Sequence, residues 1–455
     1  MVKTELRRAL GFWPAVSIVI GTAIGSGIFL VPTDMVNAVG SPGMVFLVWI
    51  FGGILSLFGA LTYAELSAAL PDAGGEYAYL NAAYGQFFGF IYGWTQSLVA
   101  KPASLATLAT GFYTYLAYFF PQLLSPVWTL PLPIGPGGMP LEIRWGQIAA
   151  IGVILFLCGV NYVGVRLGGS VQVATTALKL ALIGGVIAAG LFAGHANGAN
   201  LSTVTTSLGG VEGFFAALVA ALWAYDGWNN AGMLGSEIEN PQRNFPRALI
   251  LGTSAMIGIY LLTNLAYFLV LNASEVAASP TVAADMMRKI AGQNGAAAVS
   301  IAALISIFAA LNGSILSGSR VPYAMARDGL FFRPVAHVHP QFHTPSTSIL
   351  LIGLWACVIL LSGWYRQLYT LVIFTSWILY GMTAASVIVL RRRRPDLIRP
   401  YRTWGYPAVP ILFVLVALAL LFSTFRTSPR ESGIGLGLIL TGLPFYFHWK
   451  RRQNS

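Results

Sequence analysis

Charged residues are scarce in this chain of 455 residues. Only 9% are Asp, Glu, Lys or Arg, whereas 56% are hydrophobic. Globular domains carry about 25% charged residues, and a soluble fold has no means of removing so much apolar surface from water. The composition therefore predicts a polytopic membrane protein.

Several functional signatures are also missing. The two cysteines, Cys158 and Cys357, lie in apolar runs, so no disulfide framework is predicted. No Gly-rich loop of the nucleotide-binding type is present, which argues against transport driven by ATP on this chain. Three histidines between residues 337 and 343 have no acidic or cysteine companion, so we expect no metal site and no cofactor. Nothing in the sequence predicts an enzyme.

Long apolar segments dominate what is present. A membrane helix needs about 20 apolar residues, and the sequence contains twelve such segments. We predict an all-α integral membrane protein with one domain over residues 1–455. The predicted spans are residues 13–38, 43–70, 86–119, 145–163, 170–194, 212–235, 247–272, 296–327, 346–363, 367–391, 405–424 and 432–449.

The basic residues predict the orientation. With both termini in the cytoplasm, most of the 26 Lys and Arg fall in cytoplasmic segments, among them residues 3, 7, 8, 391–394 and 450–452. This bias follows the positive-inside rule, and it explains the net charge of +11 without any nucleic acid partner. Arg391–Arg394 is interpreted as a topology anchor, and binding of anionic membrane lipids is the alternative.

Glycines interrupt the first and the sixth predicted span, at residues 21–29 and 222–229. In lipid, unpaired backbone groups are tolerated only where they are buried in protein or line a cavity. Paired interrupted helices in two halves of a chain indicate the substrate site of a transporter. We therefore predict a five-plus-five inverted repeat, with halves over residues 13–194 and 212–391 and two extra helices over residues 405–449. Close packing of helices on small residues is the alternative explanation for these glycines.

The first interruption is suited to a carboxylate. Gly25, Ser26 and Gly27 would present backbone amides at the start of a half-helix, where free N–H groups and the helix dipole attract anions. Carbonyls freed where half-helices end would suit an ammonium group, and we assign them to residues Ala23, Ile24, Trp223 and Ala224. Amides on one side and carbonyls on the other predict a zwitterionic α-amino acid as the substrate.

Three of the charged side chains within predicted spans are candidates for function, because charge at membrane depth is costly. Asp226 either caps the resumed helix or contacts the substrate's amine or a basic side chain, and Trp223 is a candidate lid. Lys179 must meet carbonyls or hydroxyls inside the bundle, where it could replace a sodium ion or carry a proton. No role is predicted for Lys101.

An ordered set of motifs resembles the amino acid–polyamine–organocation superfamily, and within it the L-type amino acid transporter branch. The resemblance covers roughly residues 10–445. The matching segments are residues 21–29, 63–66, 71–79, 223–229, 237–246, 263–267, 312–314 and 319–320.

The resemblance implies a twelve-helix inverted-repeat fold and amino acid transport, usually by sodium-independent exchange. It implies that Ser26 and Gly27 bind the carboxylate and that Ala23, Trp223 and Asp226 lie near the amine or a gate. It also implies that Lys179 links span one to span eight at Ser314. Phe374 and Trp377 match pocket aromatics of span ten.

One departure concerns partners. Animal members pair with a heavy subunit through a cysteine in the external loop after span three, and residues 120–144 contain no cysteine. No disulfide-linked heavy subunit is therefore expected. We predict a bacterial inner-membrane exchanger of neutral L-amino acids. The alternatives are exchange of dibasic amino acids, proton-coupled uptake through Lys179, and a channel or membrane receptor.

Overall fold

A computed structural model describes residues 6, 8–131, 141–362 and 365–454 of the chain. Two of the basic residues predicted to be cytoplasmic, Lys3 and Arg7, lie outside the described residues, as do residues 132–140 of the predicted external loop. The described residues are mostly helical. Its α-helices are Phe12–Ala23 (α1), Gly27–Val39 (α2), Pro42–Ala69 (α3), Glu76–Tyr84 (α4), Gln86–Thr95 (α5), Lys101–Leu116 (α6), Trp145–Val163 (α7), Val165–Phe192 (α8), Gly210–Tyr225 (α9), Asn230–Met233 (α10), Pro241–Val270 (α11), Ala273–Ala278 (α12), Val282–Gly318 (α13), Arg320–Arg327 (α14), Ser346–Leu360 (α15), Tyr365–Arg393 (α16), Ala408–Thr427 (α17), Pro429–Leu440 (α18) and Gly442–Asn454 (α19).

Within the described residues, eight helical stretches are long and apolar enough to cross a membrane, and α9 and α15 are shorter apolar helices. The chain is therefore a multi-pass membrane protein. Two further apolar stretches are divided into shorter pieces. Helix α5 continues into α6 through a π-helical turn at Gln96–Ala100, and α18 is followed directly by α19.

Two helices begin well before the predicted spans. Helix α11 starts at Pro241. Proline is common in the first turn of a helix, because its missing N–H would have no intrahelical partner there. Helix α13 starts at Val282 and kinks at Ala291 and Gly292, so its first turns lie before the predicted span. The segment predicted to be an external loop contains an antiparallel pair of strands, Pro126–Leu130 (β1) and Leu141–Arg144 (β2).

The first and sixth apolar segments both leave helical geometry near the middle of the bundle. Helix α1 ends at Ala23 and α2 begins at Gly27, while α9 ends at Tyr225 and a short α10 begins at Asn230. Helices α2 and α9 pack against each other, and α1 packs against α8, α11 and α13. These contacts bring residues 24–26 and 226–229 together in the core.

Candidate functional site

A small cavity of about 10 Å³ lies between the two interrupted segments. Its volume is close to the roughly 10–15 Å³ that one water molecule needs. The cavity is lined by Thr22, Ala23, Gly25, Ser26, Gly27, Ser104, Leu108, Trp223, Asp226, Gly227, Asn230 and Ser314. Most of the predicted site residues therefore share one enclosure, which is nearly closed in this structure.

Glycine is required where the two interruptions approach each other. A Cβ atom on Gly27 would lie 2.6 Å from the Cα atom of Ala224, so a larger residue would collide with backbone. Gly227 has a φ of +111°, a conformation that L side chains rarely adopt. The Gly227 carbonyl accepts a hydrogen bond of 2.8 Å from the Thr22 hydroxyl, which ties the end of α1 to the second interruption.

The four carbonyls predicted to receive the substrate's amine all have protein partners. Those of Ala23 and Ala224 lie 3.2 and 2.6 Å from the Tyr260 hydroxyl, and that of Trp223 accepts from the amide of Asp226 at 3.2 Å. Ile24 and Ala224 are not among the residues that line the cavity. Ala23 and Trp223 line it. The Ala23 carbonyl also accepts from the Gly25 amide at 2.8 Å, whereas the Trp223 carbonyl has a second lone pair with which it can receive a ligand.

The Ile24 carbonyl instead accepts from Lys179 and Ser306. The Lys179 ammonium is fully buried and donates to the carbonyls of Gly21 and Ile24 at 2.8 and 2.5 Å. The Ser306 hydroxyl of α13 donates to the same Ile24 carbonyl at 3.0 Å. Ser314, the residue that the family resemblance proposed as the link, lines the cavity. The α13 hydroxyl that shares an acceptor with Lys179 is therefore that of Ser306.

Aromatic side chains cover the cavity at one end. The Trp223 indole N–H donates to the Tyr365 hydroxyl, and that hydroxyl donates to Ser26 Oγ, both at 3.0 Å. The Trp223 ring lies nearly parallel to that of Tyr369, whose hydroxyl donates to Asp34 at 2.8 Å. Trp223 is only 5% exposed, and its role as a lid stays a prediction.

Charged and polar groups surround the other end. Asp226 accepts a hydrogen bond of 2.9 Å from the Tyr380 hydroxyl. Lys101, for which no role was predicted, donates to Asn230 Oδ1 at 2.7 Å and is 4% exposed. Since Tyr365 and Tyr380 are fifteen residues apart on α16, they lie about 22 Å apart along the helix axis. The same helix thus contacts both interruptions, at Ser26 through Tyr365 and at Asp226 through Tyr380.

Neither predicted aromatic of span ten lines the cavity. Trp377 stacks on Phe413 of α17, with ring centroids 5.1 Å apart, and Phe374 is buried without being among the lining residues. The tyrosines at 260, 365 and 380 were missed by the sequence analysis, because a tyrosine in an apolar helix carries no signal of the direction in which it points. Asn230 directly follows the 223–229 motif, so the motif could have indicated it as a site residue.

Comparison with known proteins identifies the family. The profile of the amino acid permease family matches residues 10–443. The chain belongs to the amino acid permease family. It is 34% identical to the serine/threonine exchanger SteT of Bacillus subtilis (strain 168), over 99% of this chain and 98% of that protein. The membership of the amino acid–polyamine–organocation superfamily and its L-type branch, expected from the motifs, is confirmed.

Two animal relatives extend the similarity. The b(0,+)-type amino acid transporter 1 of Mus musculus is 31% identical over 98% of this chain and 88% of its own length. The human cystine/glutamate transporter is 30% identical over 98% of this chain and 86% of its own length. The family and these relatives are transporters, so the prediction that the chain is a transporter and not an enzyme is confirmed.

Proposed function

We propose that this permease exchanges L-amino acids across the membrane by alternating access, with the substrate held between the two interrupted segments. The observation that supports this most directly is the cavity bounded by Ser26 and Gly27 at the start of α2 and by Trp223 and Asp226 at the end of α9. The start of α2 favours a carboxylate. Asp226 and the second lone pair of the Trp223 carbonyl favour the amine.

We extend this proposal to the arrangement of the chain. Ten apolar stretches, together with α5–α6 and α18–α19, account for twelve spans, in which residues 13–194 and 212–391 form inverted halves and residues 405–449 form two extra helices. Helices α1–α2 and α9–α10 are the broken helices of the two halves. The distribution of Lys and Arg supports cytoplasmic termini, and the similarity to a Bacillus protein supports a bacterial cell membrane.

Two sets of contacts would alternate in the transport cycle. Ser26, Tyr365 and Trp223 close one end of the cavity, and Asp226 and Tyr380 meet at the other. A cavity the size of one water has no room for an amino acid. Entry of substrate must therefore separate one set of contacts while the other is retained, which is the condition for alternating access.

Neutral amino acids are the favoured substrates, with dibasic ones as the second candidate. Ser104, Asn230 and Ser314 offer hydroxyl and amide groups to a small polar side chain. Asp226 is the feature that favours a cationic side chain. However, the Tyr380 hydroxyl already donates a hydrogen bond to this carboxylate, and the buried ammonium of Lys101 lies near enough to attract it. The relatives themselves are named for different substrates, so their similarity does not select one.

A disulfide to a heavy subunit, as in animal relatives, would need an accessible cysteine. The only cysteines, Cys158 and Cys357, are both buried within helices. We therefore propose that the chain functions without a disulfide-linked partner.

Counterflow in liposomes tests this function. Purified protein is reconstituted, the liposomes are loaded with one unlabelled amino acid, and uptake of labelled amino acid is measured without sodium. We expect internal amino acid to accelerate uptake several-fold. Uptake driven by a pH gradient alone would instead favour proton coupling through Lys179, and binding without any uptake would favour a receptor. Flux that does not saturate with substrate would favour a channel.

A further inference from the structure

A second cavity lies on the outer surface of the bundle, in a groove between α16 and α17. Its volume is about 360 Å³, within the range of roughly 300–1,000 Å³ that is typical of ligand pockets. It is lined by Tyr84, Phe88, Trp377, Ile378, Gly381, Met382, Ala385, Val414, Ala417, Leu418 and Leu421. The lining is almost wholly apolar, and it includes none of the residues of the cavity described above.

A glycine opens the groove. At Gly381, an added Cβ would meet only the Cβ of Ala417, at 3.4 Å, so the missing side chain leaves space that α17 does not fill. The outward residues Leu418 and Phe88 are 59% and 37% exposed. In a chain that crosses a membrane, these exposed apolar side chains face lipid.

Arginines stand at one end of this groove. Ala385 and Arg392 are seven residues apart on α16, which places them on the same face and about 10 Å apart along the axis. The guanidinium of Arg393 donates to the carbonyl of Ala83, next to the groove residue Tyr84, at 3.2 Å. Both arginines are exposed.

The neighbouring arginines are already paired. Arg391 and Arg399 contact the buried carboxylate of Glu65 at 2.7 and 3.4 Å, and Arg394 pairs with Asp396 at 3.3 Å. Trp404, in the short segment that leads into α17, is 65% exposed, as is common where a membrane protein meets the lipid headgroups. The exposed arginines and the exposed Trp404 thus indicate that this end of the groove lies at the depth of the lipid headgroups.

We propose that the groove is a binding site for an anionic phospholipid, with one acyl chain over Gly381 and the phosphate at Arg392 and Arg393. The charge complementarity selects this occupant, because an apolar groove alone would accept any acyl chain or detergent. The site is independent of the proposed transport reaction. Its wall nevertheless includes Trp377, on the helix that carries Tyr365 and Tyr380.

Native mass spectrometry of the delipidated, full-length protein tests the proposal, with phosphatidylglycerol and phosphatidylcholine of identical acyl chains as probes. We expect one phosphatidylglycerol to bind more tightly than phosphatidylcholine. Gly381→Leu fills the groove and should abolish this site, whereas Gly433→Leu, at an exposed glycine with nothing within 4 Å of an added Cβ, should retain it. Arg392→Gln should weaken phosphatidylglycerol about fivefold, the effect of one surface arginine, and Arg333→Gln on another exposed segment should not.

Each contrary result overturns a part of the proposal. Equal affinity for the two lipids would show that the headgroup is not recognised. Wild-type binding of phosphatidylglycerol to Gly381→Leu would place the lipid elsewhere. If Gly381→Leu does not assemble, Arg392→Gln still tests the proposal. The Arg392 side chain is exposed, so replacing it leaves the groove intact. Retention of detergent alone at this site would reject an anionic lipid.

Discussion

The hydroxyl of Tyr365 donates a hydrogen bond to Ser26 Oγ, at 3.0 Å. Ser26 is the residue proposed to bind the substrate's carboxylate, so in this structure a tyrosine hydroxyl occupies part of the space proposed for the substrate. The same hydroxyl accepts from Trp223. Tyr365 therefore couples the proposed lid to the proposed carboxylate site, and substrate must displace it in order to bind.

Removal of that hydroxyl should favour the open cavity. A hydrogen bond contributes about 0.5–1.5 kcal/mol net, and two are lost in Tyr365→Phe. We expect the KM for exchange to fall at least about fivefold, because less of the protein is held in the closed form. Tyr118→Phe is the matched control, since its hydroxyl bonds to Gln293 in an exposed region. A raised KM in Tyr365→Phe would instead mean that the hydroxyl contacts substrate.

A side chain at Gly27 should abolish transport. The Cβ of Gly27→Leu would lie 2.6 Å from Ala224 Cα, and backbone at this point cannot yield without separating α2 from α9. We expect exchange in liposomes to be lost while the amount of protein in the membrane is retained. Gly152→Leu, at an exposed position of α7 with open space around it, should exchange normally. Normal exchange by Gly27→Leu would refute the assignment of the carboxylate site.

Neutralising Asp226 separates two roles. If the carboxylate reads a basic side chain, Asp226→Asn should slow transport of dibasic amino acids at least tenfold more than that of neutral ones. If it acts as a cap or gate with Tyr380, both classes should slow alike, and Tyr380→Phe should reproduce the effect because it removes the hydrogen bond at 2.9 Å. Competition by a panel of amino acids against one labelled substrate measures the difference.

Loss of the Lys179 ammonium should impair transport without preventing assembly. Lys179→Ala leaves the carbonyls of Gly21 and Ile24 without their charged donor, so the end of α1 loses its link to α8. We expect at least tenfold slower exchange, and a smaller loss in Ser306→Ala, which removes one neutral hydrogen bond. Unchanged exchange by Lys179→Ala, at normal membrane levels, would remove its proposed role.

A buried ion pair should dominate local stability. Arg320 and Glu237 have no exposed side-chain surface and form two hydrogen bonds, at 2.7 and 2.9 Å. Arg320→Gln leaves a buried carboxylate uncompensated, which costs about 3–5 kcal/mol and should lower the Tm measured in detergent by several degrees. Arg426→Gln breaks an exposed pair with Glu212, where about 0–1 kcal/mol is expected. Equal Tm values for the two variants would contradict this account.

Some features of the site were predictable because they depend on backbone chemistry. Gly25 and Gly227 lie where an apolar segment loses helical geometry, and lipid tolerates such backbone only where it is buried in protein or lines a cavity. The sequence analysis therefore identified both interruptions and most of the lining residues. It assigned Ser314 to the Lys179 link, whereas the acceptor of Lys179 is shared with Ser306, two turns earlier on α13. Residues on one face of a helix look alike in sequence, and the choice between them depends on helix rotation.

The sequence by itself determined that this protein spans a membrane many times and belongs to the amino acid permeases, because apolar length and ordered motifs are local properties of the chain. Only the tertiary structure decided that Tyr260 lies between the carbonyls of Ala23 and Ala224, that Tyr365 covers Ser26, and that Lys101 meets Asn230. Each of these contacts joins residues from separate helices. These contacts depend on how the helices rotate and cross. The hydrophobic pattern of the sequence constrains rotation and crossing only weakly, because the lipid and the core of the bundle are both apolar.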